Sequence, residues 1–534
     1  MLKIFSRNRQ KDAQVKEDED PSELASFIVP PDNIELERYV LNDGRAIAAI
    51  IEDGATKIKR YHLIEPTLTQ EEKFLLEELY DNLQDVLTLE DLETGEEAGI
   101  QQRREVLQRN IARLLKNYGI TLSPAASGRI SYYLERNFLG YERIDGLMDD
   151  PWIEDISCDG VGLPIYLYHR KYQNLPTNIS FQDEETLNSF IIRLAQKGGK
   201  HISIGEPLVD ATLPDGSRLQ ITYGREVTSH GSTFTIRKFR EDPFTPPELI
   251  KNNTFSVGML AYLWLCIESN KNLIFAGGTA SGKTSSLNAV SFFIPPMAKI
   301  VSIEDTREIT LYHENWIPAV TRNPVTKGGE GEVTMFDLLK AALRQRPEYI
   351  LLGEVRGAEA LTLFQAMNTG HTTYSTIHAE DPQSVVSRLE NEPINVPPVM
   401  LQALDIIVVQ IQTRLGGKRV RRANTLVEII GIDPQTKNLR INELFRWDPA
   451  TDDFTQLGDS HKLREIMKER AWTRDELMDE LHRREKVLEW MVCEDTMDYR
   501  KVAEVLQAYN LDPERSVSEI KDGCEYAELD LQIV

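Results

Sequence analysis

The chain has 534 residues, 41% hydrophobic and 27% charged, which excludes a mostly disordered protein and leaves room for about three or four domains. Its formal net charge of −24 lacks the Lys/Arg surplus that general nucleic-acid binding needs to neutralise phosphates, so no nucleic-acid partner is expected. Cys158, Cys266, Cys493 and Cys524 are scattered without a CxxC pair, which argues against a zinc site or a disulfide framework and fits a reducing cytoplasm. The longest apolar run, Gly258 to Ile267, falls well short of the ~18 residues of a membrane span. No secretory apolar core follows Met1-Leu2-Lys3. The expected location is the cytoplasm, soluble or peripheral to a membrane.

Residues 1 to about 25 are polar and charged, with the run Lys16-Glu17-Asp18-Glu19-Asp20, and read as a disordered tail. Residues 1–100 hold 24 acidic and 11 basic side chains, so 11 − 24 = −13 of the net charge lies there. Ala46 to Ile51 is strand-like, between the turn signals Asp43-Gly44 and Asp53-Gly54. Thr69 and Glu72 form a capping box before Leu75, Leu79 and Leu83 at helical spacing. The acidic stretch Glu90 to Glu97 reads as a loop, and Gln101 to Tyr118 as a helix stopped by Gly119. Residues 1–122 are therefore expected to form an acidic, partly helical adaptor region.

Residues 123–240 read as an α+β domain. A helix over 130–138 ends at Gly140. Strands over 153–158 and 165–168 come next, then a helix over 184–197 stopped by Gly198-Gly199. Pro214-Asp215-Gly216 turns between two strand-like runs, and 233–239 is a strand. Phe239 to Pro247 is a stiff, proline-rich stretch, with a linker expected over 241–247.

Over 248–447 strands and helices alternate, predicting an α/β domain with a largely parallel sheet. The strands are expected at 272–276, 299–303, 349–352, 373–376 and 406–412, with Gly416-Gly417 turning a hairpin into 419–422. Residues 448–534 read as a helical region. Thr473 and Glu476 form a capping box there, Leu477, Leu481, Leu488 and Met491 share a face, and Asp498 opens a final helix through Val502, Val505 and Tyr509.

The strongest chemical signal is Gly277, Gly278, Thr279, Ala280, Ser281, Gly282, Lys283 and Thr284, which fit G-x-x-x-x-G-K-[ST] in full between a predicted strand and a predicted helix. Glycines there let backbone N–H groups wrap phosphates, and the helix N-terminus adds positive potential. Lys283 is expected to reach the β- and γ-phosphates of ATP, and the Thr284 hydroxyl to ligate Mg²⁺. Two later strands lead into acids, Glu304 and Glu354, where open α/β sheets gather ligands. Either carboxylate can hold the Mg²⁺ shell or polarise the attacking water. His378 follows a further strand, where it could sense a γ-phosphate, whereas His371 and His378 lack a third ligand for zinc.

The series GGTASGKT, SIEDTREI, ILLGEVRG and TGHTTYSTIHAED resembles the secretion ATPase superfamily, the motors of type II and type IV secretion, type IV pili and the archaellum. The likeness covers roughly residues 125–450, and segments at 214–219, 232–239, 487–492 and 498–505 are similar to the archaeal branch. The family's tetracysteine zinc element is absent, unlike bacterial type II secretion and pilus extension subgroups. The resemblance implies a hexameric, Mg²⁺-dependent ATPase that moves an integral-membrane platform protein at the inner face of the cell membrane. It implies that Glu304 polarises the water, that Glu354 lies near Mg²⁺ with Thr284, and that His378 senses the γ-phosphate; which acid is the base stays open. It further implies that Arg237 reaches the nucleotide from the N-terminal domain, with Arg218 or Arg225 as its companion. Two alternatives are a RecA-like nucleic-acid translocase and a nucleotide-switched scaffold with little turnover. One basic cluster, Arg414, Lys418, Arg419, Arg421 and Arg422, reads either as a solvated hairpin or as a dock for a neighbouring subunit or an acidic loop.

Overall fold

The computed structural model describes residues 29–41, 44–86, 100–240, 242–322, 331–433 and 439–520. The acidic run at 16–20 and the loop expected at 90–97 lie outside the described residues. The chain divides into two compact units, with the boundary between Phe239 and Arg240.

In the first unit, β1 (Ile34–Leu41), β2 (Ala46–Glu52) and β3 (Lys59–Ile64) form an antiparallel meander. Small and branched residues make β2 the buried middle strand, with Ala46, Ala48 and Ile50 at 0% exposure. The following strands are β4 (Ile153–Cys158), β5 (Pro164–His169), β6 (Gln173–Ser180), β7 (Leu208–Thr212), β8 (Arg218–Thr222) and β9 (Thr233–Arg237). The sheet order is β1-β2-β3-β6-β5-β4-β9-β8-β7. The join between β3 and β6 is a single parallel pair, Tyr61 with Thr177. Asn178 reinforces it by accepting from Leu63 N and donating to Leu63 O, both at 2.9 Å. The strands of the expected adaptor region thus continue the sheet of the α+β segment.

Three helices, Gln70–Val86, Ile100–Tyr118 and Pro124–Phe138, pack a smaller core around Leu79, Leu83, Leu107 and Leu134. The capping box forms as expected, with Thr69 N donating to Glu72 Oε2 at 3.0 Å and Glu72 N to Thr69 Oγ1 at 3.2 Å.

The second unit is built on β10 (Leu273–Gly277), β11 (Ile300–Glu304), β12 (Trp316–Val320), β13 (Tyr349–Leu352), β14 (Thr372–Ile377), β15 (Ile406–Leu415), β16 (Lys418–Ile432), β17 (Leu439–Asp448) and β18 (Asp453–Gln456). Their order is β12-β11-β13-β14-β10-β15-β16-β17-β18. Pairing is parallel from β12 to β15 and antiparallel from β15 to β18. The expectation of a largely parallel sheet therefore holds for the first six strands only; β12, β17 and β18 were not legible as strands.

The residues of β10, β11, β13 and β14 are buried throughout, as parallel strands covered on both faces require. Alternate residues of β10 serve opposite cores: Leu273 and Phe275 one, Ile274 and Ala276 the other. The apolar run at 258–267 is a core helix, Val257–Glu268, capped by Ser256 and buried from Gly258 to Ile267. Among the described residues no helix is long and apolar enough to cross a membrane.

The C-terminal helices His461–Glu469, Arg474–Cys493 and Tyr499–Leu511 pack their apolar face into the same core as Trp264. Leu477, Leu481, Leu488 and Met491 are all buried there. The buried Arg484 donates from Nη2 to Glu268 at 2.6 Å and Glu480 at 2.7 Å, which pairs a charge that would otherwise be costly to bury. The helix read as final is followed by another, Pro513–Glu519. The proline-rich stretch gives Pro246 and Pro247 to the first turn of a helix, Pro246–Lys251, where a missing N–H costs nothing. Cys158 and Cys266 are buried free thiols, whereas Cys493 is disulfide-bonded, contrary to expectation.

Candidate nucleotide-binding site

β10 runs into the phosphate-loop motif, and the helix Lys283–Val290 leaves it. Gly277 lies beside Gln410 of β15, and a Cβ on it would stand 2.3 Å from Gln410 O, so only glycine fits. Gly282, at φ +96, turns the chain into the helix. Gly278, Thr279 and Ala280 are exposed, and Thr284 is half-buried. The Lys283 ammonium is buried and donates to Gly277 O at 3.0 Å and Gly278 O at 2.8 Å. Ser281 Oγ donates to Gly278 O at 2.9 Å.

The two acids stand on neighbouring strands. Ile303 of β11 is in register with Leu352 of β13, so Glu304 and the Gly353-Glu354 pair share the carboxyl edge of the sheet. Glu304 is 2% exposed. Its Oε1 accepts from Glu308 N at 2.9 Å and Ile309 N at 3.0 Å, while its buried Oε2 makes no hydrogen bond. Burial pushes the Glu304 pKa up to about 8, against the two backbone donors that lower it. Glu354 Oε2 accepts from Arg356 Nε at 2.9 Å and Nη2 at 2.5 Å, and its Oε1 lies 3.2 Å from His378 Nε2. Arg356 also reaches Asp305 at 3.2 Å. Burial and the nearby Lys283 charge lower the His378 pKa, and Glu354 opposes them. Lys283, Glu354 and His378 therefore share one electrostatic field at the ends of β10, β13 and β14. His371 sits at the other end of β14, 3.3 Å from Thr369 Oγ1, away from this edge.

The arginines Arg218 and Arg237 of the first unit are register partners on β8 and β9. Asp155 of β4 flanks Arg237 on its other side. Arg225 instead pairs with Glu184 at 2.9 Å. The basic cluster divides. Arg422 is buried against Asp452 by two bonds of 2.7 and 2.8 Å, and holds that carboxyl down at about 2, so it is structural. Arg414, Lys418 and Arg419 are exposed, and Arg421 Nε donates to Ala280 O at 3.0 Å. Sequence reasoning missed Arg356, and it named Arg421 only within the basic cluster, without its contact to the loop. The first was discoverable from its place two residues after Glu354; the second is brought to the loop only by the β15–β16 hairpin.

The raised Glu304 pKa has a consequence for stability. The folded state holds this proton more tightly than the unfolded chain, whose carboxyl titrates near 4.5. Stability from this group is fully present below about pH 4.5 and is lost as pH rises through about 8. Glu304→Gln should remove that loss. In thermal unfolding of the ligand-free protein, the variant's Tm should rise relative to wild type between pH 5 and pH 8.5; parallel pH profiles would contradict the burial argument.

A phosphate loop, two strand-end acids and a histidine, ordered along one edge of a parallel sheet, define a RecA-like P-loop core. The chain belongs to the type II/IV secretion system protein family, which matches residues 164–523. It is a P-loop ATPase of that family. A Methanocaldococcus jannaschii protein, itself uncharacterised, is 36% identical over 478 residues, covering 85% of each chain. A second uncharacterised protein of that organism is 49% identical over 243 residues, covering 46% of this chain and 90% of its own. Among solved structures, the VirB11 ATPase of the Brucella suis type IV secretion system is 22% identical, with a TM-score of 0.28, covering 52% of this chain and 90% of that one.

Proposed function

We propose that this protein is a Mg²⁺-dependent motor ATPase that works as a homo-hexameric ring at the inner face of the cell membrane. It would power assembly of a pilus, an archaellum or a type II-like secretion machine by moving an integral-membrane platform protein. The observation that carries the reading is the Lys283, Glu354 and His378 constellation beside the bare Oε2 of Glu304. A glycine-only cradle and an unsatisfied buried carboxylate oxygen fit a nucleotide with its metal.

In this reading the backbone N–H groups of Gly278 to Thr284 and the Lys283 ammonium bind the phosphates. Thr284 and Glu354 would hold Mg²⁺, which when bound neutralises charge on the β- and γ-phosphate oxygens. Glu304 Oε2 accepts the proton of the attacking water, since a carboxyl titrating near working pH is matched to that task. His378 reads the γ-phosphate and relays its presence to Glu354 through their 3.2 Å contact. Arg356 holds Glu354 Oε2 by two hydrogen bonds, which leaves Oε1 facing His378.

Glu354→Gln keeps the shape and removes the charge. ATP should still bind, while steady-state phosphate release falls by about 10²–10³, the loss of one preorganised electrostatic contribution. If affinity and turnover were both unchanged, Glu354 would not be at the site. Sustained phosphate release by wild type would also separate a motor from a nucleotide-switched scaffold, and the −24 charge disfavours a nucleic-acid translocase.

A further inference from the structure

The β15–β16 hairpin touches the phosphate loop and the helix that leaves it. Gln410 O blocks any Cβ at Gly277, at 2.3 Å. Gln410 Nε2 donates to Ser286 Oγ at 2.6 Å, in the first helical turn after the loop. Arg421, which faces Gln412 across the hairpin, donates from Nε to Ala280 O at 3.0 Å. Its Cδ lies 3.3 Å from where a Cβ on Gly282 would stand, so the side chain lies along the loop's outer wall.

The consequence follows from peptide geometry. In a planar trans peptide the C=O and the next N–H point to opposite sides. A guanidinium that holds Ala280 O outward therefore turns the Ser281 N–H inward. That N–H reaches towards Gly278 O at 3.4 Å, the same carbonyl that accepts from Lys283 Nζ at 2.8 Å. Ala280 meanwhile has φ +60, a left-handed backbone that a residue with a Cβ keeps only when its surroundings impose it. Both the donor's direction and the strained turn depend on what grips the Ala280 carbonyl.

We propose that Arg421 is a positioning residue for nucleotide polyphosphate: by fixing the Ala280–Ser281 peptide it aims the Ser281 N–H at the bound phosphates. The inference rests on the phosphate-loop reading above. It makes the antiparallel hairpin part of the binding apparatus, although no phosphate-binding motif includes that segment.

The test uses the full chain and a fluorescent ADP analogue, with ATP turnover measured in parallel. Arg421→Ala should weaken ADP binding and raise the ATP KM about 5- to 50-fold, the loss of one well-aimed donor to a charged group, with a smaller change in kcat. Arg421→Lys, which can still donate to Ala280 O, should recover much of the loss. Ligand-free Tm values of both variants should stay close to wild type. ADP affinity within twofold of wild type in Arg421→Ala would overturn the proposal. So would a loss that lysine does not relieve and that follows a fall in Tm, because that is a general packing defect. Lys283→Ala separates the two ideas: if it loses ADP while Arg421→Ala does not, the loop reading stands and the Arg421 assignment fails. If Lys283→Ala also binds normally, the loop reading itself fails.

Discussion

Lys283→Ala is expected to reduce ATP hydrolysis to background, a loss of at least about 10²-fold. The ammonium sits buried within the loop, 3.0 and 2.8 Å from the Gly277 and Gly278 carbonyls. That places a full positive charge inside the cradle, where shielding from water makes a contact to phosphate worth several kcal/mol, about 2.7–4 for a comparable preorganised donor. Alanine removes the charge and leaves the glycine turn intact, since Gly277 and Gly282 set its path. Near-normal turnover in this variant would refute the assignment of 277–284 as the phosphate loop.

Arg237→Ala should have the larger effect on kcat, about 10³–10⁵, if its guanidinium is delivered to the γ-phosphate during turnover. Arg237 is exposed at the end of β9, with Arg218 as its register partner on β8, so the two cations form one strand-end pair. Arg225 lies on Glu184 at 2.9 Å. The connection out of β9 soon enters a helix beginning Pro246-Pro247. Closure on ATP and release after hydrolysis would give the two-position element a motor needs. ATP affinity of Arg237→Ala should change little, and the specific activity of wild type should rise with protein concentration if hydrolysis needs the ring. Turnover in Arg237→Ala equal to wild type would sink the closure mechanism and leave the ATPase assignment standing.

The phosphate loop and its flanking strand and helix were readable because their chemistry is local: a tight turn, a close backbone approach and a helix N-terminus all fall within a dozen residues. The capping boxes at Thr69 and Thr473 were legible for the same reason, each being a three-residue exchange of hydrogen bonds. Glu304, Glu354 and His378 could be placed at strand ends one by one. Their mutual geometry could not, because it depends on the register of β11, β13 and β14, which are far apart in the chain.

Short or irregular strands were the main loss. β12 is an edge strand that contains Pro318, β18 is the four-residue strand at the other edge, and β17 between β16 and β18 is irregular in register, so their burial is set by their neighbours. The basic run at 414–422 shows the limit of reading charge by itself: one member is buried on Asp452, one grips the phosphate loop, and three remain exposed.

The sequence by itself therefore determined the family, the P-loop, the order of the acids and histidine behind it, and those helices that a cap or a glycine stop marks, because periodicity and motif spacing act over a few residues. Only the tertiary structure decided that β1 to β3 extend the sheet of the segment after them. It also decided that the apolar run at 258–267 is a core helix, that Glu304 keeps one buried oxygen unsatisfied, and that Arg421 reaches Ala280. Each of these rests on contacts between residues distant in sequence, and long-range pairing and burial leave no local periodicity from which to read them.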